Sequence, residues 1–243
     1  MKRLMLIGLG LVLVFLAPIE LNTYDKETET VIVLSNGSYT PYQDEYEKML
    51  YPTVRITTPS GTGSGVIFHR KDAENTIYIL TAAHVVGNES IVNVEFYHKD
   101  TKSTKIDASV IITDTAKDLA LIKPQINTDS TDKIYTAQLA DKNYIPYIFS
   151  PVWAVGCSLG LPPRPSYGHL CAFAVDNWEI SAPILPGNSG GPVYDARTYE
   201  VIGIAVWVKV YQYQLVTTMA GIVPIQEIYK FLDNHKDTKD TEN

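Results

Sequence analysis

The feature that most constrains the fold is a series of short strand-like segments between residues 54 and 223. These segments are apolar or alternate between apolar and polar residues, and many are bounded by glycine, proline, asparagine or aspartate. Many short strands separated by turn signals are typical of a β-barrel or a β-sandwich. The predicted strands cover residues 54–57, 66–68, 77–81, 91–97, 110–113, 119–122, 152–156, 170–175, 201–208 and 220–223.

A single helix is predicted near the C-terminus, over residues 224–232. Pro224 would occupy its first turn, and four apolar side chains would share one face: Ile225, Ile228, Tyr229 and Leu232. Helix-rich and doubly wound α/β folds are therefore not expected.

Composition narrows the class of protein further. The 243-residue chain is 45% hydrophobic, which is too apolar for a wholly disordered protein. Its net charge is −7. A nucleic-acid partner is not expected, because such partners require a basic surface.

The two ends of the chain differ from its middle. Residues 1–20 begin with Lys2 and Arg3 and continue as an apolar run over residues 4–19, the pattern of a signal peptide or an uncleaved signal anchor. Residues 21–50 are polar and are predicted to be a linker, and residues 234–243 form a charged tail. The folded domain is predicted to span residues 51–233, on the extracytoplasmic side of a membrane or secreted if the N-terminal segment is cleaved.

Three motifs in the predicted β region carry residue types that can perform chemistry. Residues 81–84 read Thr-Ala-Ala-His at the end of a strand. Residues 118–122 place an aspartate before an apolar strand, where an unpaired charge would be costly. Residues 187–192 read Gly-Asn-Ser-Gly-Gly-Pro, and glycines on both sides of the serine allow a tight turn.

Each motif alone has a structural explanation, but together, in the order His, Asp, Ser, they resemble the chymotrypsin-fold serine proteases. The Gly-Asn-Ser-Gly-Gly-Pro form and the upstream Gly-Thr-Gly-Ser-Gly-Val-Ile of residues 61–67 resemble the HtrA/Do-type branch. The resemblance covers roughly residues 54–232. It implies an all-β fold of two antiparallel six-stranded barrels, with the active site between them, followed by the C-terminal helix.

The resemblance assigns a role to each residue of the three motifs. Ser189 would be the nucleophile, His84 the general base and then acid, and Asp118 the group that orients the imidazole. The backbone N–H groups of Gly187 and Ser189 would form the oxyanion hole. Asn188 is expected to contribute through its backbone conformation alone. No cofactor is needed for this chemistry.

Departures from the digestive enzymes refine this expectation. Asn188 stands where those enzymes carry an aspartate that pairs with a new N-terminus, so activation of that type is not expected. Pro183 stands where trypsin-like pockets carry an aspartate, so a preference for Arg or Lys is not supported. A small or medium apolar residue is expected before the cut, in a pocket formed by Ile184, Leu185, Pro186, Ala205, Trp207, Met219 and Ala220. Trp207 would either narrow this pocket or belong to the barrel core.

The remaining residues with reactive side chains suggest little further chemistry. Cys157 and Cys171 lie on neighbouring predicted strands, and they are compatible with a disulfide outside the cytoplasm or with two buried thiols. The histidines other than His84 lack ligand-like spacing, so no metal is expected. The chain ends shortly after Phe231, so the peptide-binding PDZ domain that usually follows in this branch is not expected.

The sequence therefore predicts a serine endopeptidase that acts on extended or unfolded protein segments. Its partners would be a protein or peptide substrate and a membrane, contacted through residues 4–19 if that segment is uncleaved. The alternative is a proteolytically inactive protein of the same fold that acts as a membrane-tethered binding module. The oligomeric state is left open.

Overall fold

The computed structural model describes residues 42–70, 76–99, 103–126, 134–174 and 176–235. The predicted signal or anchor segment and most of the predicted linker and charged tail lie outside these residues. The described residues all fall within one compact unit, residues 34–243. Within these ranges, no helix combines the length and apolar character needed to cross a membrane.

Two closed antiparallel barrels of six strands form the core of the structure, as the resemblance implied. The first barrel contains β1 (Thr53–Thr58), β2 (Gly61–Arg70), β3 (Thr76–Thr81), β4 (Ile91–Tyr97), β5 (Ser103–Asp114) and β6 (Leu119–Pro124). The second contains β7 (Pro151–Gly156), β8 (Arg164–Phe173), β9 (Trp178–Ile180), β10 (Pro192–Asp195), β11 (Val201–Tyr211) and β12 (Gln214–Pro224). The strand order is 1-2-3-6-5-4 in the first barrel and 10-11-12-9-8-7 in the second.

Strands of the first barrel are buried on two faces where the barrels meet. One face fills the first barrel with side chains such as Ile67, Ile79 and Ile122. The other face joins the core of the second barrel through side chains such as Val66 and Leu121. Because both faces are covered there, the runs at residues 66–68 and 119–122 are continuously apolar and do not alternate.

The predicted C-terminal helix is confirmed, with a shift of both its ends by one residue. Helix α3 spans Ile225–Asp233, and Pro224 is its N-cap. The helix packs against the core of the second barrel through three fully buried side chains, Ile225, Ile228 and Phe231.

Helical structure also occurs at residues that the sequence places in the polar linker. Helix α1 (Gln43–Glu45) continues into a π-helical turn over Tyr46–Leu50. Met49 is buried in the core, and its carbonyl accepts hydrogen bonds from the hydroxyls of Thr53 at 2.8 Å and Tyr194 at 3.1 Å. Residues 43–50 therefore pack as part of the folded unit.

Candidate active site

His84 and Asp118 are joined by two hydrogen bonds. The backbone N–H of His84 donates to Asp118 Oδ1 at 2.9 Å, and His84 Nδ1 lies 2.7 Å from Asp118 Oδ2. Both carboxylate oxygens are therefore engaged by one residue. With Nδ1 held by the carboxylate as a donor, the other ring nitrogen, Nε2, is left able to accept a proton.

Local structure explains why these two side chains meet. Strand β3 ends at Thr81, and the short helix α2 (Ala83–Val86) places His84 on its exposed side while Val85 and Val86 are buried. Asp118 immediately precedes β6 and has a positive φ of 54°. Since β3 and β6 are neighbours in the barrel, both residues emerge at the same rim.

The turn before β6 is itself stabilised by a side chain. Asp114 Oδ1 accepts hydrogen bonds from the backbone N–H groups of Ala116 and Lys117, each at 3.0 Å. Such side-chain-to-backbone bonds favour turns and support the left-handed backbone conformation at the end of this one.

Asp118 is held in its ionised form. Partial burial of Asp118 opposes ionisation, but the hydrogen bonds and charge interaction with His84 outweigh it and lower the pKa of this carboxyl below its ordinary value. Asp118 is therefore an anion near neutral pH and can stabilise a positive charge that develops on the imidazole.

The loop that carries Ser189 packs against the strand end that leads to His84. Gly190 has φ +82°, and a Cβ atom there would lie 2.1 Å from Thr81 Oγ1 and 2.9 Å from the nitrogen of Ala82. Only glycine fits this conformation and this close approach. The structure thus brings the Ser189 loop beside the His84 segment at the junction of the two barrels.

Gly187 gives the same loop a second unusual conformation. Its φ is +96°, and a Cβ atom would lie 2.4 Å from the carbonyl oxygen of Cys157. The preceding carbonyl, of Pro186, accepts a hydrogen bond from Leu159 N at 2.7 Å. A trans peptide directs its C=O and N–H to opposite sides, so the N–H of Gly187 points away from Leu159.

Two backbone donors in this loop are available to a ligand. In the described part of the chain, neither Gly187 N–H nor Ser189 N–H donates to a protein acceptor. Donors spaced in this way around a turn form a concavity suited to a negatively charged oxygen.

The side chain of Asn188 contributes more than the sequence suggests. Asn188 is buried, and its Oδ1 accepts a hydrogen bond from Ser158 Oγ at 2.5 Å. The expectation that this residue acts through its backbone alone is wrong, because its amide links the serine loop to the turn after β7.

A shallow apolar groove with a volume of about 190 Å³ opens beside Ser189. Five of the seven predicted pocket residues line it, whereas Met219 and Ala220 do not. Its lining is Ile184, Leu185, Pro186, Ser189, Ala205, Val206, Trp207, Val208 and Leu215. Sequence reasoning missed Val208 and Leu215, although Val208 directly follows Trp207.

Trp207 lines the groove, and the alternative that it belongs to the barrel core is wrong, because its side chain is exposed. Its indole covers Gly221 on the neighbouring strand, so closely that any Cβ there would collide with it. The ring nevertheless borders the groove and remains about one-third exposed, at 36%.

The disulfide that the sequence allowed is not formed. Both cysteines are free; Cys157 is buried and Cys171 is exposed. The antiparallel register pairs Gly156 with Arg164, so Cys157 lies beside the first residue of β8. Cys171 lies seven residues further along β8, about 23 Å at the usual rise per residue, whereas a disulfide requires Cα atoms within about 7 Å.

Within the described residues, no three side chains of histidine, cysteine, aspartate or glutamate gather around a common point where they could hold a metal ion.

Comparisons with known proteins agree with this geometry. Residues 63–204 match the trypsin-like peptidase domain family. The chain belongs to this family. Among curated proteins, the serine protease HtrA-like of Staphylococcus epidermidis RP62A is 31% identical over 186 residues, which cover 69% of this chain and 30% of that protein. The serine protease HtrA-like of Staphylococcus aureus RF122 is 28% identical over 188 residues, covering 70% of this chain and 23% of that protein.

The fold is similar to those of two solved structures. A serine endoprotease from Yersinia pestis superposes with a TM-score of 0.63 at 21% identity, covering 82% of this chain and 67% of that one. The HtrA-type protease AlgW with tripeptide superposes with a TM-score of 0.66 at 20% identity, covering 82% and 64%. The match to the curated relatives spans less than a third of their length.

Proposed function

We propose that this trypsin-like peptidase is an active serine endopeptidase with Ser189 as nucleophile, His84 as base and acid, and Asp118 as the orienting carboxylate. The observation that carries the proposal is the double hydrogen bond between His84 and Asp118. It fixes the imidazole at the rim where the Ser189 loop packs. It also stabilises the imidazolium that forms when His84 takes a proton.

Acylation would begin with attack of Ser189 Oγ on the carbonyl carbon of the scissile peptide bond. His84 Nε2 takes the hydroxyl proton, and the carbonyl π electrons move to the oxygen. The N–H groups of Gly187 and Ser189 donate to this oxyanion, and each such donor is typically worth about 3 kcal/mol. The imidazolium then protonates the leaving amine, the C–N bond breaks, and an acyl-enzyme remains.

Deacylation would repeat these steps with water. His84 removes a proton from the water as it attacks the ester carbonyl. Collapse of the second oxyanion releases the carboxylic acid product and returns the proton to Ser189 Oγ. No external oxidant, metal or cofactor is required for this balance.

The groove supports cleavage after a small or medium apolar residue. Its volume of about 190 Å³ suits a single side chain, since pockets for whole drug-sized ligands are typically about 300–1,000 Å³. None of the described residues that line it is charged. Burying an Arg or Lys side chain there would leave its charge unpaired, which is costly. The flanking residues of an extended substrate would pair with a strand edge beside the groove.

Peptide cleavage tests this function. The full-length chain is incubated with a library of extended peptides, and the products are mapped by mass spectrometry. Wild type should cut after Ala, Val or Leu more readily than after Arg or Glu, and Ser189→Ala should lower turnover by roughly 10⁴-fold or more. Peptide binding without cleavage by wild type would contradict the proposal and favour the binding-module alternative.

A further inference from the structure

A buried serine of the first barrel holds the loop of the second barrel that carries Ser189. Ser64 lies in β2 and is fully buried. Its Oγ donates to the carbonyl of Gly187 at 2.6 Å and accepts from Cys157 N at 2.8 Å, while its backbone N–H donates to the carbonyl of Ser189 at 2.8 Å. The single residue Ser64 therefore contacts three positions around the two free N–H donors.

These contacts fix the peptide that follows Gly187. The carbonyl of this peptide is held by Ser64 Oγ, and its N–H, which belongs to Asn188, donates to Leu185 O at 3.0 Å. The peptide before Gly187 is held by the bond from Leu159 N to Pro186 O. The N–H of Gly187 belongs to the peptide before Gly187, which the bond from Leu159 holds directly. Because glycine can rotate freely between its two peptides, the bond from Ser64 to the following peptide limits that rotation.

A charged residue of the first barrel supports the other side of the loop. Arg55 donates to the carbonyl of Gly160 and forms an ion pair with Glu95, whose side chain is 8% exposed. Gly160 follows Leu159, the residue that holds Pro186. The Arg55–Glu95 pair thus holds the turn that contains Leu159, whose N–H donates to the Pro186 carbonyl.

We propose that Ser64 is a positioning residue, whose hydroxyl keeps Gly187 in the orientation that directs its N–H toward the substrate oxyanion, with Arg55 as a secondary support through Gly160. The expected effect of Ser64 on turnover rests on the proposed function, whereas its expected effect on the order of the loop does not. Asn188 has no charge with which to fix this loop. Its side chain links the loop to Ser158, whereas Ser64 binds the carbonyls of Gly187 and Ser189 on either side of it.

The loop itself can be tested without any enzymatic activity. Backbone ¹⁵N order parameters are measured for Cys157, Gly187 and Asn188 in wild type and in Ser64→Ala. Wild type should give rigid values of about 0.85, and Ser64→Ala should fall toward the flexible range below about 0.6 at these amides. Order parameters that stay at the wild-type value in Ser64→Ala would overturn the proposal, whether or not the protein cleaves peptides.

A matched control separates the loop effect from simple loss of a buried hydroxyl. Thr53 is also buried in the first barrel, and its Oγ1 donates to Met49 O at 2.8 Å, whereas within the described residues no hydrogen bond joins its side chain to residues 187–191. Thr53→Val should leave the order parameters at Gly187 and the turnover at wild-type values. An equal loss of order in Thr53→Val would contradict a specific role for Ser64.

Kinetics then test the catalytic consequence. Removing one oxyanion donor typically costs about 10²–10³ in kcat, so a loop that is only partly disordered in Ser64→Ala should lose roughly 10–100-fold in kcat, with a much smaller change in KM. If Ser64→Ala does not fold, Arg55→Lys provides the second variant and should show a smaller loss in the same sense. Unchanged kcat in a folded variant whose loop has become mobile would refute the catalytic role, while an inactive wild type would refute only the proposed function.

Discussion

Replacing Asp118 by asparagine is expected to slow peptide cleavage by two to four orders of magnitude with little change in overall structure. The carboxylate accepts from both the backbone N–H and the ring of His84. Asparagine has the same shape but only one acceptor. If its oxygen keeps the backbone bond, its NH₂ faces Nδ1 and favours the tautomer in which Nε2 carries the proton and cannot act as a base.

The size of the effect follows from the tautomer of His84. A positioned general base typically contributes about 10²–10⁴-fold to the rate. Because Nε2 can no longer act as a base in the unfavourable tautomer, kcat should fall by about 10²–10⁴. KM should change far less, because Asp118 does not line the apolar groove.

Steady-state cleavage of a single peptide with an apolar residue before the cut provides the assay. Asp114→Asn is the matched control. Asp114 lies in the same turn, and its Oδ1 accepts from the backbone N–H groups of Ala116 and Lys117, which an asparagine oxygen can still satisfy. The control should keep the wild-type kcat. A wild-type kcat in Asp118→Asn, or an equal loss in Asp114→Asn, would refute the reasoning.

Three further outcomes are expected. A thiol reagent near neutral pH should modify the exposed Cys171 but not Cys157 in the native protein, because burial raises the pKa of the Cys157 thiol to about 12. Both thiols should react after denaturation. Protection of both cysteines from the reagent, as a disulfide would give, would contradict the structure. Phe231→Ala should lower the free energy of unfolding by about 3–5 kcal/mol in denaturant titrations, since Phe231 is fully buried, and a loss typical of a surface site would contradict the packing. Burial opposes ionisation of Asp195, but the bond from Arg197 prevails and lowers the pKa of Asp195 below 3.8. The free energy of unfolding should therefore fall as the pH drops from 3.8 through the pKa of Asp195 in the folded protein. This fall should be less steep in Asp195→Asn.

Much of the fold was predictable because local patterns agree with the tertiary structure. Turn residues separate the strands, and the runs at residues 66–68 and 119–122 are apolar on both faces because they lie between two cores. Strands β9 and β10 were missed for local reasons. β9 has only three residues, and β10 begins with Pro192 directly after the glycine-rich loop, where a strand start is hard to recognise.

The candidate site was predictable where chemistry dictates residue type, and not where it depends on distant contacts. His84, Asp118 and Ser189 carry reactive groups within recognisable motifs. Ser64 and Arg55 are ordinary residue types, and their partners lie about a hundred residues away in the other barrel. The cysteine pairing failed for a related reason, because strand proximity alone does not give the register.

Covalent labelling of the intact full-length protein with a fluorophosphonate at neutral pH tests the central claim most directly, because only a serine activated by a nearby base attacks such a reagent readily. We expect one adduct per chain by mass spectrometry, located on Ser189, and no adduct in Ser189→Ala. An unlabelled wild-type protein, or equal labelling of Ser189→Ala, would contradict the account.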